Sequence, residues 1–533
     1  MMSGLGLELG LGVLILLVFF VGVLSTGANR RRVGVLAALG LLVLLVLSFR
    51  IEPGTALFGG TFVQDELAVF SKRLFLLATL LGVVGSLGLR AETFARRATE
   101  YYVAMLASLL GMLVLASARE LILLFVAFEL MSIPLYVLSG FRKQEAESVE
   151  AALKFFLIGT VSSAFIVYGL SFVYGIAKTT DLSGVVTALQ QGHPLLLLGM
   201  ILTLGGLGFK IAAFPFHMWV PDTYEAASTP FVAWLSVAPK AAGFVVMFRL
   251  YLEGVGDPVL LWVPVAAGLA AVTIVAGNLM AIPQQNVKRL LAYSGIAHIG
   301  YMLVGFAAVS ADGVAMMLFY LVAYLFGNMG AFFVVEAVAQ SDGSEAIAAY
   351  KGLAQRSPVL ALCMLLFLLS LGGIPFVAGF WAKLYVFWAA AERGMYWLVL
   401  VGAILTVVAL FYYLLVAKRM YIDSPERRQP VPVSPYLAVS ILVCVAGVVG
   451  LGVYPKPLVM AALRAASGLF SPCDHARVSW PGSSSPWSRR QARRRRCPRC
   501  RRRRAVACAS NGRWNRRRAT STRYAAASTT TSG

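Results

Sequence analysis

Residues 121–138 read LILLFVAFELMSIPLYVL, an apolar run broken by a single carboxylate, Glu129. A helix needs about 20 such residues to cross the hydrocarbon of a bilayer. A carboxylate near its centre costs roughly 2.5–3.5 kcal/mol on insertion scales. The run therefore reads as a transmembrane helix that keeps an expensive charge. The rest of the chain agrees: of 533 residues 59% are hydrophobic and 13% charged, with a mean hydropathy of +0.79. Soluble domains carry about 25% charged residues, so this composition excludes a soluble globular protein and predicts an all-α integral membrane protein. The first apolar run, Leu11–Leu24, lacks the basic flank of a signal peptide and reads as a retained helix.

Windows of about 20 residues, with their charged or Gly/Pro breaks, predict fourteen spans. They lie near 4–26, 33–49, 70–89, 101–117, 120–140, 149–175, 194–216, 227–252, 257–280, 289–308, 313–338, 358–391, 395–417 and 433–455. An even number places both ends of the bundle on one side. Connections alternating from the first carry 16 Lys/Arg, against eight on the other side before residue 471. The positive-inside rule puts the richer set in the cytoplasm.

Within the spans stand Glu129, Lys154, Lys210, Lys240, Arg249, His298 and Lys383. Span 7 has Lys210 then Pro215 in GFKIAAFPFHMW, and span 12 has GGIPF then Lys383 in AGFWAKLYVF. Proline removes an N–H and clashes with the preceding turn, so both spans are expected to be broken. They lie five spans apart, an odd number, so equivalent units would insert in opposite orientations. Helices 4–8 (101–252) and 9–13 (253–420) are thus expected to form two inverted five-helix repeats, a plan that puts sites at broken helices near the midplane. Residues 1–100 supply the three leading helices and 421–470 the last. By this pairing Glu129 in span 5 answers His298 of LLAYSGIAHIGY in span 10, while Lys240 follows Pro239 in span 8 without a charged counterpart.

Several of these residues also have plain readings. Lys154, six residues into span 6, can snorkel to the cytoplasmic surface, His298 can be a satisfied helix contact, and Arg249 near a span end reads as an interface anchor. Lys210, Lys240, Lys383 and Glu129 are harder to dismiss, because three lysines and one carboxylate do not pair off. Lone ionisable groups inside a membrane point to a transport path. Burial disfavours the charged form of either group and a nearby opposite charge restores it, which suits proton transfer.

These stretches resemble the antiporter-like subunits of respiratory complex I, the NADH–quinone oxidoreductase. The likeness covers most of 60–430: FVAFELMSIPLYVL, SVEAALKFFLIGTVSSA around Lys154, FPFHMWVPDTYEAASTPFVAWLSVAPKAAGF, QQNVKRLLAYSGIAHIGY, YKGLAQRSP and GGIPFVAGFWAKLYVF. It departs at AASTP, where a Gly-Ala-Pro-Thr-Pro run is usual, and at Phe376, where a second proline is common. The resemblance implies that Glu129 and Lys210 form the coupled pair of a proton-input half. It makes Lys240 the connecting lysine, His298 a polar bridge, Lys383 the residue of the exit half, and Lys154 an accessory near the input. It implies no flavin, cluster, quinone or metal in this chain; NADH, FMN, iron–sulfur clusters and quinone would belong to partner subunits. Partners would be M-type and L-type antiporter-like subunits, small helical subunits and the lipid bilayer, in a bacterial plasma membrane. Lys383 disfavours the M type, which carries Glu there, and no long lateral helix follows Pro457 as in the L type.

From Ser471 to Gly533 there are 17 Arg and one Asp, but no Lys, Glu, Leu, Ile, Phe or Met. RRQARRRRCPRCRRRR on its own suggests nucleic acid or anionic lipid. Yet its single Cys497-x-x-Cys500 is at most half a zinc site, and the run lacks aromatic interleaving. The segment reads as an Arg-rich disordered tail or as the product of a GC-rich gene translated out of frame, with no nucleic-acid partner. Three classes of function follow: a proton-pumping subunit, a subunit of a cation/proton antiporter or membrane-bound hydrogenase, and a redox-inert scaffold.

Overall fold

Hydrocarbon offers no partner to a free backbone group, so apolar runs close their hydrogen bonds within helices. The computed structural model describes residues 4–25, 31–89, 94, 96–189, 193–253 and 262–470. Among these residues twelve helical segments are long and apolar enough to cross a membrane, and two shorter apolar helices, Arg32–Ser48 and Pro358–Gly372, stand where two more spans are expected. The predicted tail, 471–533, lies outside the described residues.

In chain order the leading helices are α1 (Gly6–Leu24), α2 (Arg31–Ser48) and α3 (Glu66–Ser86), with strands β1 (Thr55–Leu57) and β2 (Phe62–Gln64) before α3. Then come α4 (Ala98–Ser117), α5 (Leu121–Ser139), α6 (Ala146–Ala177), α7 (Leu182–Leu189), α8 (Pro194–Ile211), α9 (Trp219–Ala226), α10 (Thr229–Leu235) and α11 (Ala238–Tyr251). The second half runs through α12 (Val263–Ala281), α13 (Val287–Ala307), α14 (Ala311–Asp342), α15 (Leu353–Arg356), α16 (Pro358–Gly372), α17 (Ala378–Glu392) and α18 (Tyr396–Tyr421). It closes with α19 (Pro435–Val453) and α20 (Lys456–Ser467). The short hairpin and the small helices α7, α9 and α20 are absent from the expected spans. Helix α20 is amphipathic: Val459, Ala462, Ala465 and Ala466 are buried, and it packs on α14 and α3.

Three spans are interrupted where two are expected. Helix α8 stops at Ile211, with Ala212 in the left-handed region at φ 66°. Helix α16 stops at Gly372; Gly373 (φ 85°) and Phe376 (φ 74°) turn the chain before α17. The third break was not expected. Span 8 is split at Ser236–Val237, and α11 restarts with Pro239 in its first turn, where a missing N–H costs nothing.

Burial sorts the helices. In α10–α11 the whole apolar window is buried, and in α13 and α14 94% of it, against 28% in α18. The interior helices are therefore those that carry Lys240 and His298. Ion pairs sort the connections. Lys288–Glu345 (2.9 Å), Arg289–Glu225 (2.7 Å) and Lys351–Glu426 (2.5 Å) join segments that the span count puts on the Lys/Arg-rich face. Arg119–Asp65 (3.2 Å) and Arg119–Glu253 (2.5 Å) join segments assigned to the other face.

Two residues depart from their expected places. Arg249 is no interface anchor: it is fully buried, with its guanidinium across both carboxylate oxygens of Asp65 at 2.6 and 2.7 Å and on Glu253 at 3.2 Å. Lys72, counted with a connection, lies buried inside α3, paired with Glu8 of α1 at 2.6 Å and with Gln64 at 2.5 Å. Burying a charge is costly unless it is paired and hydrogen-bonded, which is what each of them achieves.

Candidate functional site

The site begins where α8 breaks. Lys210 sits in the last turn of α8, 2% exposed, and its Nζ donates to Ser132 Oγ of α5 at 2.5 Å. The rings of Phe128 and Tyr136 flank the ammonium at 5.1 and 5.4 Å, a cation–π setting that replaces part of its hydration. Glu129 lies one turn from Ser132 on α5. Its Oε1 accepts from Ser163 Oγ of α6 at 2.6 Å, and among the described residues no ion pair joins it to Lys210. The carboxylate and the ammonium are within electrostatic range, but each is held by its own hydroxyl. Beyond the break, Trp219 Nε1 donates to the Phe209 carbonyl at 3.1 Å, and its ring stacks on Phe155 at 4.1 Å, which fixes α9 against α6 and α8.

At the centre stands Lys240, 1% exposed, delivered into the bundle by the break in span 8. Among the described residues its Nζ has no hydrogen-bond partner; the Tyr224 ring lies 5.4 Å away. A Cβ added at Gly295 of α13 would stand 2.9 Å from Tyr324 Oη and 3.6 Å from Lys240 Nζ, so glycine there leaves the space those two groups share. One turn along α13, His298 meets Tyr320 Oη at 2.7 Å through Nδ1 and Tyr413 Oη at 3.3 Å through Nε2. A neutral imidazole donates from one nitrogen and accepts at the other. Tyr413 in turn hydrogen-bonds Ser294.

Lys383 occupies the second break. Its Nζ donates to the carbonyl of Gly372, the last residue of α16, at 3.1 Å, and lies 4.8 Å from the Tyr301 ring. Breaking the helix is what frees such a carbonyl. Tyr301 Oη accepts from Asn278 Nδ2 and Thr406 Oγ1, each at 3.3 Å, and Tyr412 donates to Asn278 Oδ1 at 3.2 Å.

The structure thus strings Lys210, Lys240, His298 and Lys383 along the buried middle of the molecule, with Glu129 beside the first. It leaves Lys154 out. That side chain is 47% exposed at the Lys/Arg-rich face, between Glu150 at 2.8 Å and Asp222 at 3.0 Å. Burial pushes the Asp222 carboxyl up, but its bonds to Lys154 and Arg289 outweigh this and hold it below its ordinary value. Sequence reading missed the neutral links, Ser132, Ser163, Asn278 and the tyrosines 301, 320, 324 and 413. Such residues are ordinary in a membrane helix and carry no charge to betray them. It also missed Glu336, a carboxylate inside span 11.

Comparison with known proteins places this geometry. Residues 118–409 match the family model described as NADH:quinone oxidoreductase/Mrp antiporter, transmembrane. NADH-quinone oxidoreductase subunit N of Moorella thermoacetica is 43% identical over 467 residues, 87% of this chain and 97% of that protein. A chain of respiratory complex I from Thermus thermophilus with bound aureothin is 31% identical, with a TM-score of 0.73, over 86% of this chain and 99% of that one. A chain of the Mrp complex from a Dietzia species shares the fold, with a TM-score of 0.77 over 89% of this chain and 99% of that one, at 21% identity.

Proposed function

The chain belongs to the NADH:quinone oxidoreductase/Mrp antiporter transmembrane family, as a membrane subunit of NADH–quinone oxidoreductase, and from that premise we propose how its buried charges move protons. It is a proton-translocating membrane subunit; the residues proposed to do the work are Glu129, Lys210, Lys240, His298 and Lys383, with Lys154 accessory at the rim. The observation that carries the reading is Lys240, fully buried with no hydrogen-bond partner for its Nζ among the described residues, in a molecule whose other two buried broken-helix lysines each have one.

In this mechanism Lys210 is the switching charge. While Glu129 turns from Ser163 toward Lys210, the ammonium is favoured; when Glu129 returns to Ser163, Lys210 gives up its proton. A charged Lys210 repels the proton on Lys240, which passes through the Tyr324–His298–Tyr413 group to Lys383 and out by the second break. A hydroxyl or imidazole is able to accept on one side and donate on the other, so no link needs a net charge. The energy comes from quinone reduction in partner subunits, which hold NADH, FMN, the iron–sulfur clusters and the quinone. The partners include the M-type and L-type subunits, and the membrane is the bacterial plasma membrane with the Lys/Arg-rich face cytoplasmic.

An inverted repeat supports two coupled half-sites. A Cβ at Gly111 of α4 would come 2.4 Å from Met131 N of α5, and one at Gly277 of α12 2.4 Å from Ala297 N of α13. Aligning these two close approaches sets Ser132 against His298 and Glu129 against Gly295. This shifts the pairing expected from the sequence by one turn: Ser132, which holds Lys210, and not the switching carboxylate, takes the position of His298.

The test is NADH-driven quinone reduction and proton uptake in vesicles, normalised to assembled complex. Lys210→Ala and Lys383→Ala are expected to slow both together, because each blocks an obligatory step. Lys210→Arg is not expected to rescue, since Arg does not release its proton. Wild-type rates in both Ala variants would leave these charges a structural role only.

A further inference from the structure

Helix α14 places Tyr320, Tyr324, Asn328, Glu336 and Gln340 at intervals of four or eight residues, along one of the ridges by which helices interdigitate. The broken pair α10–α11 runs beside that ridge in the opposite direction and meets it with polar groups of its own. Thr229 stands within reach of the Glu336 carboxylate. Asn328 Nδ2 donates to Ser236 Oγ at 2.6 Å. Lys240 and Tyr324 face the gap left by Gly295. The rung between is apolar: the Phe332 ring lies 5.9 Å from that of Tyr224.

We infer that Glu336 is a proton-entry carboxylate that reloads Lys240 along this seam, an inference that rests on the proton-path reading above. Glu336 is 5% exposed, and the carboxamide of Gln340 donates to its Oε1 at 2.7 Å. Lys288 and Arg142 of the Lys/Arg-rich face are within its electrostatic range, and Lys288 pairs with the part-exposed Glu345 at 2.9 Å. The carboxylate therefore stands one layer beneath that face, at the outer end of a polar seam whose inner end is Lys240. Its hydrogen-bond partner Gln340 and its neighbour Thr229 are neutral, and a glutamine would suit them as well, so packing alone does not call for an acid here.

The seam has hydrogen-bonding capacity to spare. Asn328 Oδ1, Tyr324 Oη and Lys240 Nζ are buried without a partner among the described residues. These groups set buried donors and acceptors beside one another along the seam, the kind of polar row along which a proton is handed on. Phe332 supplies the dry step that a controlled path needs, as hydrophobic constrictions do in channels. In the transfer an O–H bond forms at Glu336 as it takes a proton from the cytoplasmic face. That bond breaks as an N–H bond forms at Lys240, and the carboxylate is restored; nothing is oxidised or reduced. Lys210 then drives the proton from Lys240 onward, so both the seam and Lys210 are needed in each cycle.

The experiment compares Glu336→Gln, Glu336→Asp and Lys383→Ala in assembled complex, by NADH-driven proton uptake and quinone reduction. Glu336→Gln keeps the size and the hydrogen bonds but holds no exchangeable carboxyl proton, and is expected to slow both rates about tenfold, the factor for about 1.4 kcal/mol of barrier. Glu336→Asp is expected to keep most of the wild-type rate. The inference is overturned if Glu336→Gln runs at the wild-type rate while Lys383→Ala is slow. It is overturned equally if Glu336→Asp is as slow as Glu336→Gln, since shape and not acidity then matters. If Lys383→Ala also runs at the wild-type rate, the underlying path fails and this entry with it.

Discussion

A lysine inside hydrocarbon must be held by something, and the three on this axis are held differently. Lys210 has a serine hydroxyl, Lys383 a carbonyl freed by a helix break, and Lys240 only the face of a tyrosine. Replacing Ser132 by Ala removes the acceptor of Lys210. A hydrogen bond to a charged group is worth about 1.5–3 kcal/mol, so Ser132→Ala is expected to slow coupled quinone reduction by about tenfold or more. Ser132→Thr keeps the hydroxyl and should retain activity; equal rates for Ala and wild type would show that this contact does not set the charge of Lys210. Gly373 is a second single-residue control. Its φ of 85° suits glycine, and an added Cβ would stand 3.0 Å from Lys383 Cδ. Gly373→Ala is expected to cost about 1–2 kcal/mol from backbone handedness alone. It should also push Lys383 off the Gly372 carbonyl, read as a lower melting temperature together with slower proton uptake.

Elements were legible to the extent that hydrophobicity alone makes them. Every expected span has a helix, because about 20 apolar residues in lipid have no other way to satisfy their backbone. The breaks at Pro215 and at Gly373–Pro375 were legible from proline and glycine. The break before Pro239 was not, since a proline in a first turn is compatible with a helix start as well as a kink. The β1–β2 hairpin and α20 lie in short polar or mixed stretches where periodicity has too few residues to speak. The charged half of the site was readable because charge in a membrane is costly, while its neutral half became visible only through packing. Asp65 shows what the hairpin positions. It caps α3 by accepting from Ala68 N at 2.8 Å and binds Arg249 and Arg119. Burial pushes its carboxyl up, but the Arg249 charge and these hydrogen bonds outweigh burial and hold it below its ordinary value. A lowered folded value means stabilisation that is present above the unfolded carboxylate value of about 3.9 and lost as pH falls through the folded one. Asp65→Asn should therefore melt below wild type at neutral pH, with the gap closing in strong acid. A gap independent of pH would assign Asp65 a capping role without the charge.

For the whole molecule the open chemical question is which ion the axis moves, since the family spans quinone-linked and antiporter complexes. A sodium ion needs a cage of oxygen ligands, built from carboxylates, carbonyls and water, much as other hard cations do. The middle of this molecule offers instead the nitrogens of Lys210, Lys240, His298 and Lys383, with hydroxyls beside Lys210 and His298 and a single backbone carbonyl beside Lys383. A metal cation passing that way would meet like charge at each protonated lysine, and at short range in a low-dielectric interior such repulsion is several kcal/mol. A proton meets no such obstacle, because it becomes the charge on each group in turn and needs no cavity. NADH-driven translocation is accordingly expected to run at the same rate in sodium-free medium as with sodium present. Sealed vesicles should gain no sodium tracer above background while their interior acidifies. Sodium-dependent turnover, or tracer uptake abolished by Lys383→Ala, would instead assign the buried lysines to gating a metal-ion path and move this chain toward the antiporter branch of its family.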